Sequence, residues 1–316
     1  MTIERHGSNR KPPQKNKAGV ACDAATRSVG ESLRQAVRFL EERGVPEAAA
    51  SAEFLMSSVL RAGRGEMLSR GAQTLDEKRR RQFQRLVSRR SRRLPLAYVL
   101  GSQDFMGLEF EVTADVLVPR PETEGLVECI LSVGQRLARG LGRGLRILDL
   151  GTGSGCIALT LASRWPDSFV AATDASRQAL NVAAKNAQRL GLLERVRFIH
   201  ADLFEPGPDG AASWTDIVVS NPPYIPSGRI PSLDPEVLCE PRLALDGGKD
   251  GLDAIRAIIA YAPRLLRPGG WLVLEMDEGQ GRPVRKLCER DGFIDIEIRR
   301  DIHGLERVAL GRYIGK

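Results

Sequence analysis

Cysteine and histidine are scarce in this chain and never clustered. Cys22, Cys129, Cys156, Cys239 and Cys288 include no Cys-x-x-Cys pair, and an odd count of five does not make a disulfide framework. His6, His200 and His303 are equally scattered, so no His/Cys metal site is expected, and His200 reads as a residue at a strand end. A reduced, cytoplasmic chain is the simplest reading. No apolar run approaches the ~18 residues that a membrane-spanning helix needs. The start lacks the apolar middle region of a signal peptide. Charge of one sign is missing from the second part of the chain. Residues 1–110 hold 21 Lys and Arg against 12 Asp and Glu, a net +9, and the rest holds 26 against 28, a net −2. The basic field is either a solvated helix surface or a docking face for an acidic or RNA-containing partner, and composition does not separate the two.

What is present divides the chain. Residues 1–27 read as a basic, disordered tail. Residues 28–94 read as helices. Ser28 with Glu31 and Thr74 with Glu77 fit capping boxes, the second opening an arginine-rich helix with Phe83, Leu86 and Val87 on its apolar face. Residues 95–118, which begin with "PLAYVLGSQDFMGLEFEV", suit a linking hairpin. From Leu145 the pattern is strand, glycine loop, helix, repeated, and it ends in "FIDIEIRRDIHGLERVALGRY", a terminal hairpin. This alternation implies an α/β fold with a mostly parallel sheet and helices on both faces.

"LDLGTGSGC" follows the first strand of that repeat and opens a helix. Its glycines, Gly151, Gly153 and Gly155, let the backbone turn sharply and approach a ligand closely. The spacing differs from the dinucleotide fingerprint, and no Lys-Ser/Thr completes a P-loop. Asp174 ends the next strand, where an acid accepts hydrogen bonds from ribose hydroxyls, and Asp149 ends the first, where it can meet a positive ligand. These features resemble the S-adenosylmethionine site of Rossmann-like methyltransferases. That resemblance implies cofactor roles for Gly151, Thr152, Gly153, Ser154, Gly155 and Asp174, and for Asp202 and Leu203 after the third strand.

"DIVVSNPPYIP" stops a core strand on Asn221, Pro222, Pro223 and Tyr224. Two prolines cannot continue a central ladder. They can hold acceptors in place, because they have little conformational freedom to lose. "NPPY" resembles the signature of methyltransferases acting on planar nitrogens. Asn221, through its side-chain oxygen, and the Pro222 carbonyl would accept the two hydrogens of an NH₂ group, and Tyr224 would offer a flat face.

The resemblance sharpens outside this core. "RRLPLAYVLGSQDFMGLEFEV", "VLVPRPETEGLVE", "NPPYIP", "EPRLALDGGKDGLDAIRAII" and "LRPGGWLVLEM" appear in this order. Together they resemble the release factor glutamine methyltransferase family, the HemK-like enzymes, from about Ser28 to Tyr313. The resemblance implies a Rossmann-like class I methyltransferase domain over 119–316 behind a small helical docking domain. It implies S-adenosylmethionine as cofactor, class-I peptide chain release factors as partners, and no stable nucleic-acid or membrane partner. Asn221 would also touch the cofactor, and Asn221 to Tyr224 would bind the glutamine of a Gly-Gly-Gln motif. "PRPETE" favours this branch over one that modifies a ribosomal protein. An adenine-amine DNA methyltransferase shares the NPPY chemistry but would need base flipping and a recognition domain that is not visible here. A non-catalytic module on the same fold would not need the glycine loop and NPPY intact. One departure stands out: Asp277 occupies a place where the family usually has glycine, which bears on the shape of that loop.

Overall fold

The computed structural model describes residues 28–201 and 214–315. The tail 1–27 and the expected site residues Asp202 and Leu203 lie outside these described residues. Helix α1 (Val29–Glu41) opens with the expected capping box: Ser28 Oγ accepts from Glu31 N (3.2 Å), and the Glu31 carboxylate accepts from Ser28 N (2.9 Å). With α2 (Ala48–Leu60), α3 (Arg64–Ser69) and α4 (Glu77–Arg90) it encloses a separate core around Leu40, Leu55, Met56, Met67 and Phe83. The start of α4 differs from expectation. Asp76, not Thr74, is the cap, its carboxylate accepting from Arg79 N at 2.8 Å. Thr74 is instead held extended by an antiparallel bridge to Ser28.

The segment read as one hairpin contains a helical turn first. Pro95 and Gly101, the latter at φ +87°, bound α5 (Leu96–Leu100). Strands β1 (Ser102–Phe105) and β2 (Leu108–Glu111) then form the antiparallel hairpin. Glu124 of α6 (Pro121–Leu141) accepts from Met106 N at 2.7 Å and fastens the hairpin tip.

The remaining strands are β3 (Arg146–Leu150), β4 (Phe169–Asp174), β5 (Val196–His200), β6 (Thr215–Ser220), β7 (Leu266–Glu275), β8 (Phe293–Arg300) and β9 (Glu306–Tyr313). They form one sheet in the order β5-β4-β3-β6-β7-β9-β8, parallel from β5 to β7 and antiparallel where β9 joins. Alternate side chains enter two cores. Ile147, Ile217, Val219 and Val273 face α6, α7 (Cys156–Arg164) and α8 (Arg177–Arg189). Leu148, Val218, Leu272 and Leu274 face α9 (Asp253–Leu265) and α10 (Gly281–Arg290). This is the expected doubly wound α/β architecture with its C-terminal antiparallel pair. The winding reverses between β3 and β6, so the loops leaving their carboxyl ends diverge and open a crevice.

Candidate active site

The loop after β3 is fixed from below and open above. Gly151 N and Thr152 N both donate to Thr173 O, at 2.9 and 2.8 Å. Gly153 N donates to Asp174 Oδ2 (2.9 Å), while Asp174 Oδ1 accepts from Ser176 N (2.8 Å). Gly153 sits at φ +56°, and a Cβ built there would meet no protein atom within 4 Å. A Cβ on Gly155, at φ +83°, would stand 3.0 Å from Leu159 and 3.2 Å from Ala183. The first glycine therefore keeps space for a ligand, and the second lets α7 pack on α8. Asn186 of α8 binds the Ser154 carbonyl (2.9 Å) and both backbone groups of Glu111, joining the loop to the hairpin.

Asp149 lies under this loop, fully buried. Its Oδ2 accepts from Thr152 Oγ1 (2.7 Å), so the Thr152 hydroxyl serves the loop rather than the crevice. Its Oδ1 has no hydrogen-bond partner among the described residues, and burial pushes the carboxyl up to about 7. Above the loop is a cavity of about 380 Å³, lined among others by Gly151 to Ser154, Asp174, Thr123, Asn221 and Pro223. The one basic group in the lining among the described residues, Arg120, is bound to Glu240 at 2.6 Å. The donor set suits vicinal hydroxyls and positive charge and, among the described residues, offers no free cation for a phosphate. S-adenosylmethionine fits that description: Asp174 would hold its ribose hydroxyls, the glycine loop its methionine part.

The loop after β6 brings Asn221 to the same cavity. Its Nδ2 donates to Thr123 Oγ1 at 3.1 Å, which leaves Oδ1 without a donor among the described residues. Thr123 belongs to "PRPETE", whose Pro121 is the first residue of α6 and whose Glu122 and Glu124 sit in its first turn. Tyr224 does not line the cavity. Its hydroxyl donates to Glu275 Oε1 at 3.2 Å and its ring packs on the core beside α9. Burial and the adjoining Glu275 push its phenol well above the usual range. Glu275, at the end of β7, is itself fully buried and burial raises it to about 7.

The NPPY backbone is held from outside. Ile225 N donates to Leu245 O (3.0 Å), and Gln280 Nε2 donates to Tyr224 O (3.1 Å). Gly251 passes so close that a Cβ there would lie 2.3 Å from Tyr224 O. Asn186, Glu275 and Gln280 carry no local sequence signal, because each acts through a bond to a distant segment. The Asp277 departure is accommodated: its carboxylate is paired with Arg229 (2.7 Å) and Arg307 (3.3 Å).

The arginine-rich helix is not only a solvated face. Arg90, nearly buried, and Arg93 both bind Glu236, at 2.7 and 2.6 Å, so the helical unit is clamped to the segment that follows NPPY. Glu236 is held below the usual carboxylate range by these two guanidinium groups, against the opposing effect of burial.

The chain matches the family model described as PrmC N-terminal domain over residues 31–101 and that of the methyltransferase small domain over 134–233. It is 42% identical over 275 residues to a release factor glutamine methyltransferase of Geobacter sulfurreducens, covering 87% of this chain and 93% of the relative. It is 42% identical over 263 residues to one of Neisseria gonorrhoeae, covering 83% and 93%. Among solved structures, the hMettl16 catalytic domain in complex with MAT2A 3'UTR hairpin 1 superposes with a TM-score of 0.53 at 17% identity, covering 72% of this chain and 80% of that one. That likeness concerns the fold alone.

Proposed function

Because this chain belongs to the release factor glutamine methyltransferase family, we propose that its crevice methylates the side-chain amide nitrogen of the Gly-Gly-Gln glutamine in class-I peptide chain release factors. The observation that carries the reading is the meeting of the glycine loop and Asn221 in one cavity, with the Asn221 nitrogen already committed to Thr123. S-adenosylmethionine, when bound, would supply an electrophilic methyl group whose C–S bond breaks as the N–C bond forms, leaving S-adenosylhomocysteine, while the methylated amide gives up one N–H proton to solvent.

The chain's own task is positioning, since an amide nitrogen is a poor nucleophile with a delocalised lone pair. Asn221 Oδ1 and the Pro222 carbonyl accept the two hydrogens of the glutamine NH₂ and so turn its lone pair toward the donor. Pro222 and Pro223 keep these acceptors from relaxing. Tyr224 acts from behind, through Glu275, rather than by stacking. Residues 28–94 serve as the docking unit, 95–118 as the link and 119–316 as the catalytic domain. No helix among the described residues is long and apolar enough to cross a membrane, and release factors would place the work in the cytoplasm.

The test is mass spectrometry of a purified release factor after incubation with the chain and S-adenosylmethionine. One added methyl on the Gly-Gly-Gln glutamine is expected. Label in duplex DNA or a ribosomal protein, with none in release factor, would overturn the reading.

A further inference from the structure

We infer that Glu236, gripped by Arg90 and Arg93 of the helical unit, positions one wall of the cofactor cavity, so that the helical unit helps to build the S-adenosylmethionine site. The inference rests on S-adenosylmethionine occupying the cavity, and not on which substrate is methylated. The wall belongs to the loop that follows NPPY. This loop is tied at its base, where Ile225 N donates to Leu245 O (3.0 Å), Gly247 N to Ile225 O (2.9 Å) and Ser227 N to Gly248 O (2.8 Å). Its returning limb supplies Pro241, Leu243 and Ala244 to the cavity lining. The loop has no apolar anchor of its own there: from 231 to 244 the only buried residue is Glu240, a carboxylate. Leu243 is 64% exposed, and the hydrogen bonds of the limb are short-range, Ala244 N to Pro241 O and Leu245 N to Arg242 O. A segment with so little apolar burial opens readily unless something outside it holds it closed.

Ion pairs do the holding. Glu240 Oε1 accepts from Arg120 Nη2 at 2.6 Å, just before α6. Earlier in the loop Glu236 takes a two-pronged grip: Arg93 Nε donates to its Oε1 and Arg93 Nη2 to its Oε2, both at 2.6 Å, and Arg90 Nη1 adds a third bond at 2.7 Å. The helical unit sets both arginines. Arg90, buried, also donates to Ser51 Oγ (3.3 Å) and Leu94 O (2.9 Å), and Arg93 donates to Gly44 O (2.7 Å). Arg93 sits at φ +62°, a backbone that residues with a Cβ seldom adopt. Glu236 does not line the cavity. It is a positioning residue, which fixes the limb that does. Cofactor affinity then scales with the fraction of chains whose wall is in place.

The test uses the full chain and calorimetric titration with S-adenosylmethionine. Glu236→Gln keeps the volume and removes the charge that both arginines share. Its Kd should rise about tenfold, as expected for a wall in place one time in ten. Arg93→Gln, which leaves the Arg90 bond, should lose about fivefold, and Arg93→Lys, which keeps the charge without the fork, should stay within about threefold of wild type. Glu53→Gln breaks a pair with Arg64 (2.6 Å) inside the helical unit that does not involve the loop, and should leave Kd within about twofold. Without cofactor, the amides of 237–245 should exchange hydrogen faster in Glu236→Gln than in wild type. With release factor as substrate, kcat at saturating S-adenosylmethionine should stay within about threefold of wild type. Melting curves identify a variant that fails to fold, and Arg93→Gln carries the test if Glu236→Gln does. Wild-type Kd in the folded variants, unchanged exchange over 237–245, or an equal loss in Glu53→Gln would overturn the inference. A wild-type chain that binds S-adenosylmethionine but methylates no release factor would overturn the functional reading alone.

Discussion

On the glycine-loop side of the crevice, the fixing bonds stay within one stretch of chain and reach at most 32 residues: Thr152 on Asp149, Gly153 and Ser176 on Asp174, Ser154 on Asn186. On the Asn221 side the fixing bonds are long-range. Asn221 reaches 98 residues back to Thr123, and Tyr224 reaches 51 residues forward to Glu275. The first side is built within one contiguous stretch, from β3 through α7 to β4 and α8. The second exists only once α6, β6 and β7 are packed together. Each side also buries one carboxylate, Asp149 or Glu275, with one oxygen unpartnered among the described residues and a pKa raised by burial to about 7.

The sharpest way to break this comparison is Asn221→Ala. If the second side handles only the amide, turnover should fall about 10³-fold while S-adenosylmethionine affinity, read by calorimetry, moves by less than about threefold. Equal losses in both would mean that the sides are one site.

Next in size is the dependence of stability on pH. Glu275 is raised from 4.5 to about 7 in the folded state. Between those values the folded chain binds more protons than the unfolded one, so stability falls as pH rises through that window and levels off above it. The loss from this group is on the order of 3 kcal/mol. Glu275→Gln should remove that part of the slope in denaturant titrations at pH 5 and pH 8. An unchanged slope would place the whole effect on the Asp149 side.

The two glycines separate packing from ligand space. Gly155→Ala meets Leu159 and Ala183 and should lower stability by about 2 kcal/mol, seen in the melting temperature. Gly153→Ala meets no protein atom and suffers mainly its left-handed backbone, about 1–2 kcal/mol. It should also weaken S-adenosylmethionine binding about tenfold, because its methyl group enters the cradle. If the two variants were indistinguishable in cofactor affinity, the assignment of space to Gly153 would be wrong.

The same division decides what could be read in advance. The strand-loop-helix alternation, the glycine loop and Asp174 lie in consecutive residues whose spacing carries their chemistry, and the structure puts them at one cavity. "NPPY" and "PRPETE" are visible as motifs, but not that Thr123 of one holds Asn221 of the other. The arginines of α4 and of the turn after it look alike in sequence, yet Arg90 and Arg93 turn inward to Glu236, an acid 146 and 143 residues away that no local pattern reveals. Thr74 obeys a capping pattern and loses to a bridge with Ser28 that no local rule contains.

Tyr224→Phe is the smallest expected effect and discriminates most finely. A stacking role would leave the variant unchanged, since the ring remains. The observed bond from its hydroxyl to Glu275 predicts otherwise. Removing a donor leaves a second carboxylate oxygen unpartnered and should destabilise by about 1 kcal/mol. It also takes away a hydrogen bond that favours the ionised form, so the Glu275 pKa should rise further. The pH window over which stability falls would then extend upward, while turnover falls only severalfold. A loss of turnover without that extension would mean that the hydroxyl acts on the substrate and not through Glu275, moving Tyr224 from behind the acceptor side to its face.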